Sequence, residues 1–299
     1  MARLPKVVAP MVTPYNQRLE VDYDSAKRLA KRITAEGVGV LIAGTTGEMP
    51  LLTASEKAAL LREAASVTGC DLLITGVGGP NPFAVLSEAK ALSVEGAKYL
   101  LVPPPYYYSP PQFSIEAFYK WLASNIDSEI LVYNIPSHTG ILVSISTIEK
   151  LSSTEGIAGV KATVDSTSYQ ARLVKRLKTR APHFLVYSGS DELLLYNLSS
   201  GGDGGITAGA NLTPKLHSRL VRAYEKGDYL EAVELHKLLL DIPWILEPAR
   251  SLQGGIKTIL AEEGVIDTSE VRPPLPPEDE ESRRDVVRRW RESGLESYF

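Results

Sequence analysis

Eight short runs of apolar and small residues, each followed by a segment of different periodicity, constrain this fold more than any other feature of the sequence. They fall at 7–14, 38–43, 71–77, 99–102, 129–134, 157–163, 184–190 and 204–209, mostly about 28 to 33 residues apart. Little polar alternation interrupts them, as expected of parallel strands covered on both faces. The intervening segments carry helix signals. Ala26, Leu29, Ala30 and Ile33 fall at i, i+3, i+4 and i+7 before Gly37, a C-terminal stop. Thr53-Ala54-Ser55-Glu56 is a capping box, and Asn81-Pro82 supplies an N-cap and a first-turn proline. The pattern predicts a (β/α)8 TIM barrel over residues 1–212. A doubly wound open sheet fits less well, because no glycine-rich dinucleotide turn follows the first run. From Thr213-Pro214, read as an N-cap and a first-turn proline, only helices are expected: 216–226, 229–240, 253–263 and a charged segment over 278–293 with an apolar edge at Val286, Val287 and Trp290. With the proline strap at 272–277, they form a C-terminal helical layer over 213–299, assigned to packing or subunit contact.

The sixth run, Ile157-Ala158-Gly159-Val160-Lys161-Ala162-Thr163, holds one lysine among small and apolar residues. Strand alternation puts Ile157, Gly159, Lys161 and Thr163 on one face and Ala158, Val160 and Ala162 on the other. Gly159 is expected to leave space beside the amine. Burying an ammonium is costly, so such a site is expected to favour the neutral amine, a nucleophile toward carbonyls. On this stretch alone, a lysine that reaches solvent or pairs with a carboxylate fits as well.

The C-terminal ends of barrel strands are where active sites of this fold lie. There the sequence sets Gly44-Thr45-Thr46-Gly47-Glu48 after the second run, Tyr106-Tyr107-Tyr108 after the fourth, and Tyr133, of one parity with Leu131, on the fifth. Gly189-Ser190-Asp191 follows the seventh run and Thr207-Ala208-Gly209-Ala210 ends the eighth. A turn before a helix, a packed tyrosine and a sticky loop are the ordinary readings of these pieces taken singly. Together, lysine, tyrosine, threonines and small residues suit carbonyl chemistry: an amine to condense with a ketone, a phenol to move protons, N–H donors for a carboxylate.

Composition narrows the partners. A net charge of -4 over 299 residues gives no support for binding nucleic acid or an anionic membrane. No apolar run is long enough to span a bilayer, and the N-terminus lacks the apolar core of a signal peptide, so the cytoplasm is the expected compartment. Cys70 is alone, and the four histidines (His138, His183, His217 and His236) are scattered without ligand spacing, so neither a disulfide framework nor a metal site is expected.

In their order and spacing, Gly44-Thr45-Thr46-Gly47-Glu48, Tyr133-Asn134-Ile135-Pro136 and Gly159-Val160-Lys161 resemble the class I aldolases of the dihydrodipicolinate synthase and N-acetylneuraminate lyase superfamily. The resemblance runs from Ala9 to Ala210 and more loosely through the tail. Tyr187-Ser188-Gly189-Ser190-Asp191, the tyrosine run and Arg272-Pro273-Pro274 are most similar to archaeal 2-keto-3-deoxygluconate aldolases. The resemblance implies that Lys161 forms a Schiff base with pyruvate, with no other cofactor. It makes Tyr133 the general acid/base and Thr46 a proton relay, which Tyr107 completes across a dimer interface in the neighbouring subunit. It has the amides of Thr45 and Thr46 bind the pyruvyl carboxylate, and Gly189, Ser190 and Ala208 line the rest of the pocket. It also implies a keto acid and an aldehyde as small-molecule partners, and a homotetramer built as a dimer of dimers.

Three departures refine the expected activity. His138 stands where dihydrodipicolinate synthases usually carry an arginine for the aldehyde's carboxylate. Thr45 replaces the serine usual in neuraminate lyases. Ser109-Pro110-Pro111 offers no basic residue for a phosphate. The expectation is reversible cleavage of 2-keto-3-deoxygluconate, and by extension its 6-phosphate, to pyruvate and a glyceraldehyde, as in Entner-Doudoroff sugar catabolism. Dihydrodipicolinate synthase and a non-catalytic keto-acid-binding barrel are the alternatives.

Overall fold

The structure is a computed structural model that describes residues 4–299; the first three residues of the N-terminal reading lie outside the described ones. Eight parallel strands close into a barrel in chain order: β1 (Val7–Pro10), β2 (Gly39–Ile42), β3 (Leu73–Gly76), β4 (Tyr99–Val102), β5 (Glu129–Asn134), β6 (Ile157–Ala162), β7 (Leu185–Ser188) and β8 (Gly204–Ile206), with β1 paired to β8. The first strand ends at Pro10 rather than near Pro14, since proline has no N–H to give a ladder. Alternation sorts each strand's residues between two cores. Val8, Leu41, Ile74, Leu101, Leu131, Tyr187 and Ile206 fill the barrel, whereas Val40, Ile42, Val102, Val132, Val160 and Val186 pack outward under the helices. Full burial of each such side chain is worth about 1.5–3 kcal/mol.

Local signals set the helix starts. Thr53 and Glu56 form the reciprocal capping box, and Asn81 accepts from Phe83 N and Ala84 N with Pro82 in the first turn. The helix Tyr23–Ala35 stops just before Gly37, whose φ of +76° requires glycine's freedom. Thr213 does not cap Pro214–Glu225 through its side chain; its hydroxyl lies instead beside the Gly209 carbonyl and His217. Two short helices, Pro136–Thr139 and Asp241–Leu246, had no sequence signal.

The parity of β6 departs from simple alternation. Ile130 pairs with Ile157, but Leu131 pairs with Gly159, so Ala158 is an extra residue. This bulge turns Ile157 to the outer core and Ala158 to the inner one, opposite to the expected faces, while Gly159 and Lys161 stay in register with the inward Leu131 and Tyr133. In the C-terminal layer, the edge of Glu280–Ser293 is no exposed strip: Val286 and Trp290 are fully buried, and Trp290 Nε1 donates to Glu263 at 2.8 Å. No helix among the described residues is long and apolar enough to cross a membrane.

Candidate active site

The site is assembled by register. Tyr133, Lys161 and Tyr187 stand side by side on β5, β6 and β7, with Lys161 only 4% exposed. The Lys161 Nζ lies 4.7 Å from the centre of the Tyr133 ring. Space beside the amine comes from Gly189, not Gly159. A Cβ on Gly159 would collide with Leu185 and Leu131 in the barrel interior, so that glycine serves packing. A Cβ on Gly189 would lie 3.1 Å from Lys161 Cε and 1.9 Å from Thr163 Oγ1.

Beyond the phenol lies the turn after β2. The Tyr133 hydroxyl is hydrogen-bonded to Thr45 Oγ1 at 3.0 Å. Thr46, the residue expected in the relay, is buried but makes no such contact, because neighbouring positions of a tight turn aim their side chains apart. The turn is strained at both ends: Ala43 and Glu48 have φ of +50° and +60°. Glu48 N donates to the Thr45 carbonyl and Met49 N to the Gly44 carbonyl, each at 3.0 Å. Among the described residues, the N–H groups of Thr45 and Thr46 donate to nothing, leaving two amides free for an anion.

Asn134 buttresses the fifth strand end. Its side chain donates to the Val143 carbonyl and the Tyr169 hydroxyl and accepts from Val143 N, fixing the loop that carries His138. Partial burial first, and the charge of Lys161 second, hold His138 below the usual imidazole value. Tyr107 is 80% exposed, edge-on to Tyr108, and does not reach Tyr133 within its own chain.

A cavity of about 390 Å³ opens beside Gly189, lined also by Ser190, Asp191, Glu192, Ala208 and Leu252. Asp191 ties its two walls together: Oδ2 accepts from Gly209 N at 3.0 Å, and Oδ1 meets His217 Nε2 at 2.7 Å. Burial would raise this carboxyl, but the His217 contact and the Gly209 amide outweigh it and hold it below the ordinary range. The cavity's lining includes Glu247 as a third acid and no lysine or arginine; Arg289 stands outside it, held by Glu247 at 2.6 Å.

The sequence reading passed over the back of the turn. Gln253 Nε2 donates to the Thr45 carbonyl at 3.1 Å, and the fully buried Lys257 donates to Glu48 at 2.5 Å. Burial, only partly offset by Glu48, brings Lys257 down to about 8. A signal existed: Lys257 stands amid Ile256, Ile259 and Leu260 on a helix that is buried over this whole stretch.

Comparison with known proteins gives a consistent relationship. Residues 3–292 match the dihydrodipicolinate synthetase family. An uncharacterized DapA-like lyase of Thermofilum pendens is 33% identical over 98% of this chain and 99% of its own length. A 4-hydroxy-tetrahydrodipicolinate synthase of Heliobacterium modesticaldum is 33% identical over 78% of each. The crystal structure of YagE, an E. coli K12 prophage protein of the dihydrodipicolinic acid synthase family in complex with pyruvate, superposes with a TM-score of 0.93 at 26% identity, covering 97% of this chain and 99% of YagE.

Proposed function

This chain belongs to the dihydrodipicolinate synthetase family, whose members are pyruvate-dependent lyases working through a lysine Schiff base, and from that premise we propose that it cleaves 2-keto-3-deoxygluconate. Lys161 adds to the C2 ketone and loses water to give an iminium. Tyr133 takes the proton from the C4 hydroxyl, the C3–C4 bond breaks, and its electrons pass to the iminium as glyceraldehyde leaves. Protonation at C3 and hydrolysis then release pyruvate and the free lysine. The free Thr45 and Thr46 amides hold the carboxylate. The proton route runs from Tyr133 through Thr45, replacing Thr46, and on to Tyr107 of a neighbouring subunit in a tetramer.

The observation that carries this reading is the Lys161 amine over the Tyr133 ring, with Thr45 on that phenol. The uncharged polyol end is favoured by a pocket lined by Gly189, Ser190 and Ala208 together with acidic side chains. A phosphate calls for arginine or lysine, which that lining lacks. The synthase reading, in which pyruvate condenses with aspartate semialdehyde, has the Heliobacterium relative in its favour. Against it stands His138, which burial and the neighbouring Lys161 disfavour as a fixed cation.

The test is borohydride reduction with pyruvate followed by mass mapping, together with kcat/KM for 2-keto-3-deoxygluconate and its 6-phosphate and for condensation of pyruvate with aspartate semialdehyde. We expect one adduct on Lys161, lost in Lys161→Ala, and cleavage of the unphosphorylated acid. An adduct elsewhere would remove the mechanism. Condensation with aspartate semialdehyde alone would establish the synthase reading. A preference of ~10³ for the phosphate, about 4 kcal/mol, would mean a cation reaches the pocket.

A further inference from the structure

The C-terminal layer touches the turn after β2 at two points, and the stereochemistry of the peptide group gives the contacts a consequence. In a trans peptide the C=O of one residue and the N–H of the next point in opposite directions from one rigid plane. The Thr45 carbonyl therefore shares its plane with the Thr46 N–H. That carbonyl accepts from Glu48 N at 3.0 Å and from Gln253 Nε2 at 3.1 Å, so both its lone pairs are engaged on the rear of the turn. The plane is thus pinned from behind, and the Thr46 N–H, which has no partner among the described residues, is aimed to the other side.

The far end of the turn is pinned as well. Glu48 has a left-handed backbone, a conformation unfavourable for a residue with a side chain that persists where the surroundings impose it. Its buried carboxylate accepts from Lys257 Nζ at 2.5 Å and from Arg272 N at 3.0 Å. Lys257 donates also to the Glu270 carbonyl at 2.8 Å and lies 4.2 Å from the centre of the Tyr15 ring. Lys257 and Arg272, which hold this carboxylate, both lie beyond residue 252, outside the barrel.

We propose that Gln253 is a positioning residue for keto-acid binding, setting the Thr45–Thr46 peptide plane so that the Thr46 amide faces the substrate carboxylate, with the Lys257–Glu48 pair anchoring the end of the turn. The inference rests on the keto-acid reading of the site. It assigns a share of carboxylate recognition to a side chain that touches no reacting atom.

The test is Gln253→Met, which keeps length and volume and removes the donor; Gln253 is only half-buried, and Gln253→Ala serves as a second variant if the first does not fold. Borohydride trapping on Lys161 is titrated with pyruvate and with methyl pyruvate, which presents the same ketone without the anionic carboxylate. The expected result is a rise of about tenfold in half-saturating pyruvate, about 1.4 kcal/mol. Half-saturation by methyl pyruvate and the maximal trapping rate should be unchanged. A rise of equal size for both ligands would make Gln253 a merely structural residue, and no rise for either would remove its role; both outcomes overturn the proposal. Failure of the parent enzyme to trap pyruvate on Lys161 would instead refute the reading beneath it.

Discussion

Tyr133 sits between two groups that ask different things of it. Its ring face lies toward the Lys161 ammonium or iminium, and its hydroxyl is bonded to Thr45. A phenol with one hydroxyl partner can pass a proton only along that contact, so the two threonines of the turn should not be equivalent. Thr45→Val should lower kcat by about tenfold or more, toward the 10²-fold loss typical of a displaced acid/base group and expected of Tyr133→Phe. Thr46→Val keeps the backbone amide and should change kcat less than threefold on the same estimate. Stopped-flow or coupled assays of both variants decide it, and equal losses would put the relay back on Thr46. Sequence could not separate the pair, because Gly-Thr-Thr-Gly reads alike in either order until the turn's backbone is known. Lys161 and Tyr133 were legible for a physical reason: a titratable or hydroxylated side chain within a short apolar strand is rare, and parity with Leu131 told which way Tyr133 points. The same rule misplaced Ile157 and Ala158, since a bulge is invisible to a period of two. It also misattributed the space beside the amine to Gly159, where the cross-strand neighbours Leu185 and Leu131 take it up.

Among elements, the barrel was readable because eight strand-and-helix repeats agree with one another, whereas the role of the C-terminal layer was not. Ion pairs between residues more than two hundred positions apart leave no local trace. The strap beginning at Arg272 shows how such a pair joins the two. Its guanidinium donates to Glu56 at 2.5 and 2.9 Å, to the Leu51 carbonyl at 2.8 Å and to the Leu19 carbonyl at 3.0 Å. Glu56 is also the third helical residue of the capping box, so one carboxylate closes a helix start and clasps the strap. The hydrogen bond from Arg272, outweighing burial, brings Glu56 from 4.5 to about 2. A carboxyl held below its unfolded value adds stability that is complete above the unfolded pKa and is lost as the pH falls through the folded one. Glu56→Gln should therefore cost about 1 kcal/mol at pH 7, after allowance for solvent screening of a partly exposed pair. Urea melts should show the gap between parent and variant closing as the pH drops from 4.5 toward 2. A gap that does not change over this range would mean that the contact acts through shape alone.

At the scale of the whole molecule, the tyrosine run is the feature that a single chain does not explain. Tyr107 and Tyr108 are 80% and 85% exposed, and Tyr107 has a φ of +89°, which is strained for a residue with a Cβ. An aromatic side chain held outward on a strained backbone gains little from water and much from a partner surface. This is the geometry a relay completed in a neighbouring subunit requires. Two inactive variants can test that arrangement. In Lys161→Ala the nucleophile is missing but Tyr107 is intact; in Tyr107→Phe the reverse holds. If Tyr107 acts on its own chain's site, every site in a mixture of the two has a defect. If it acts across a two-fold interface, each mixed pair has one site with both groups, formed by the Lys161 of one chain and the Tyr107 of the other. Random re-pairing of equal amounts makes about half of the pairs mixed, each with one of its two sites complete, so about a quarter of parental activity should return. Unfolding the two variants together, refolding them and assaying cleavage against separately refolded controls would measure this. Recovery no greater than the sum of the controls, in a preparation whose mass confirms mixed oligomers, would rule out a Tyr107 that acts across the interface.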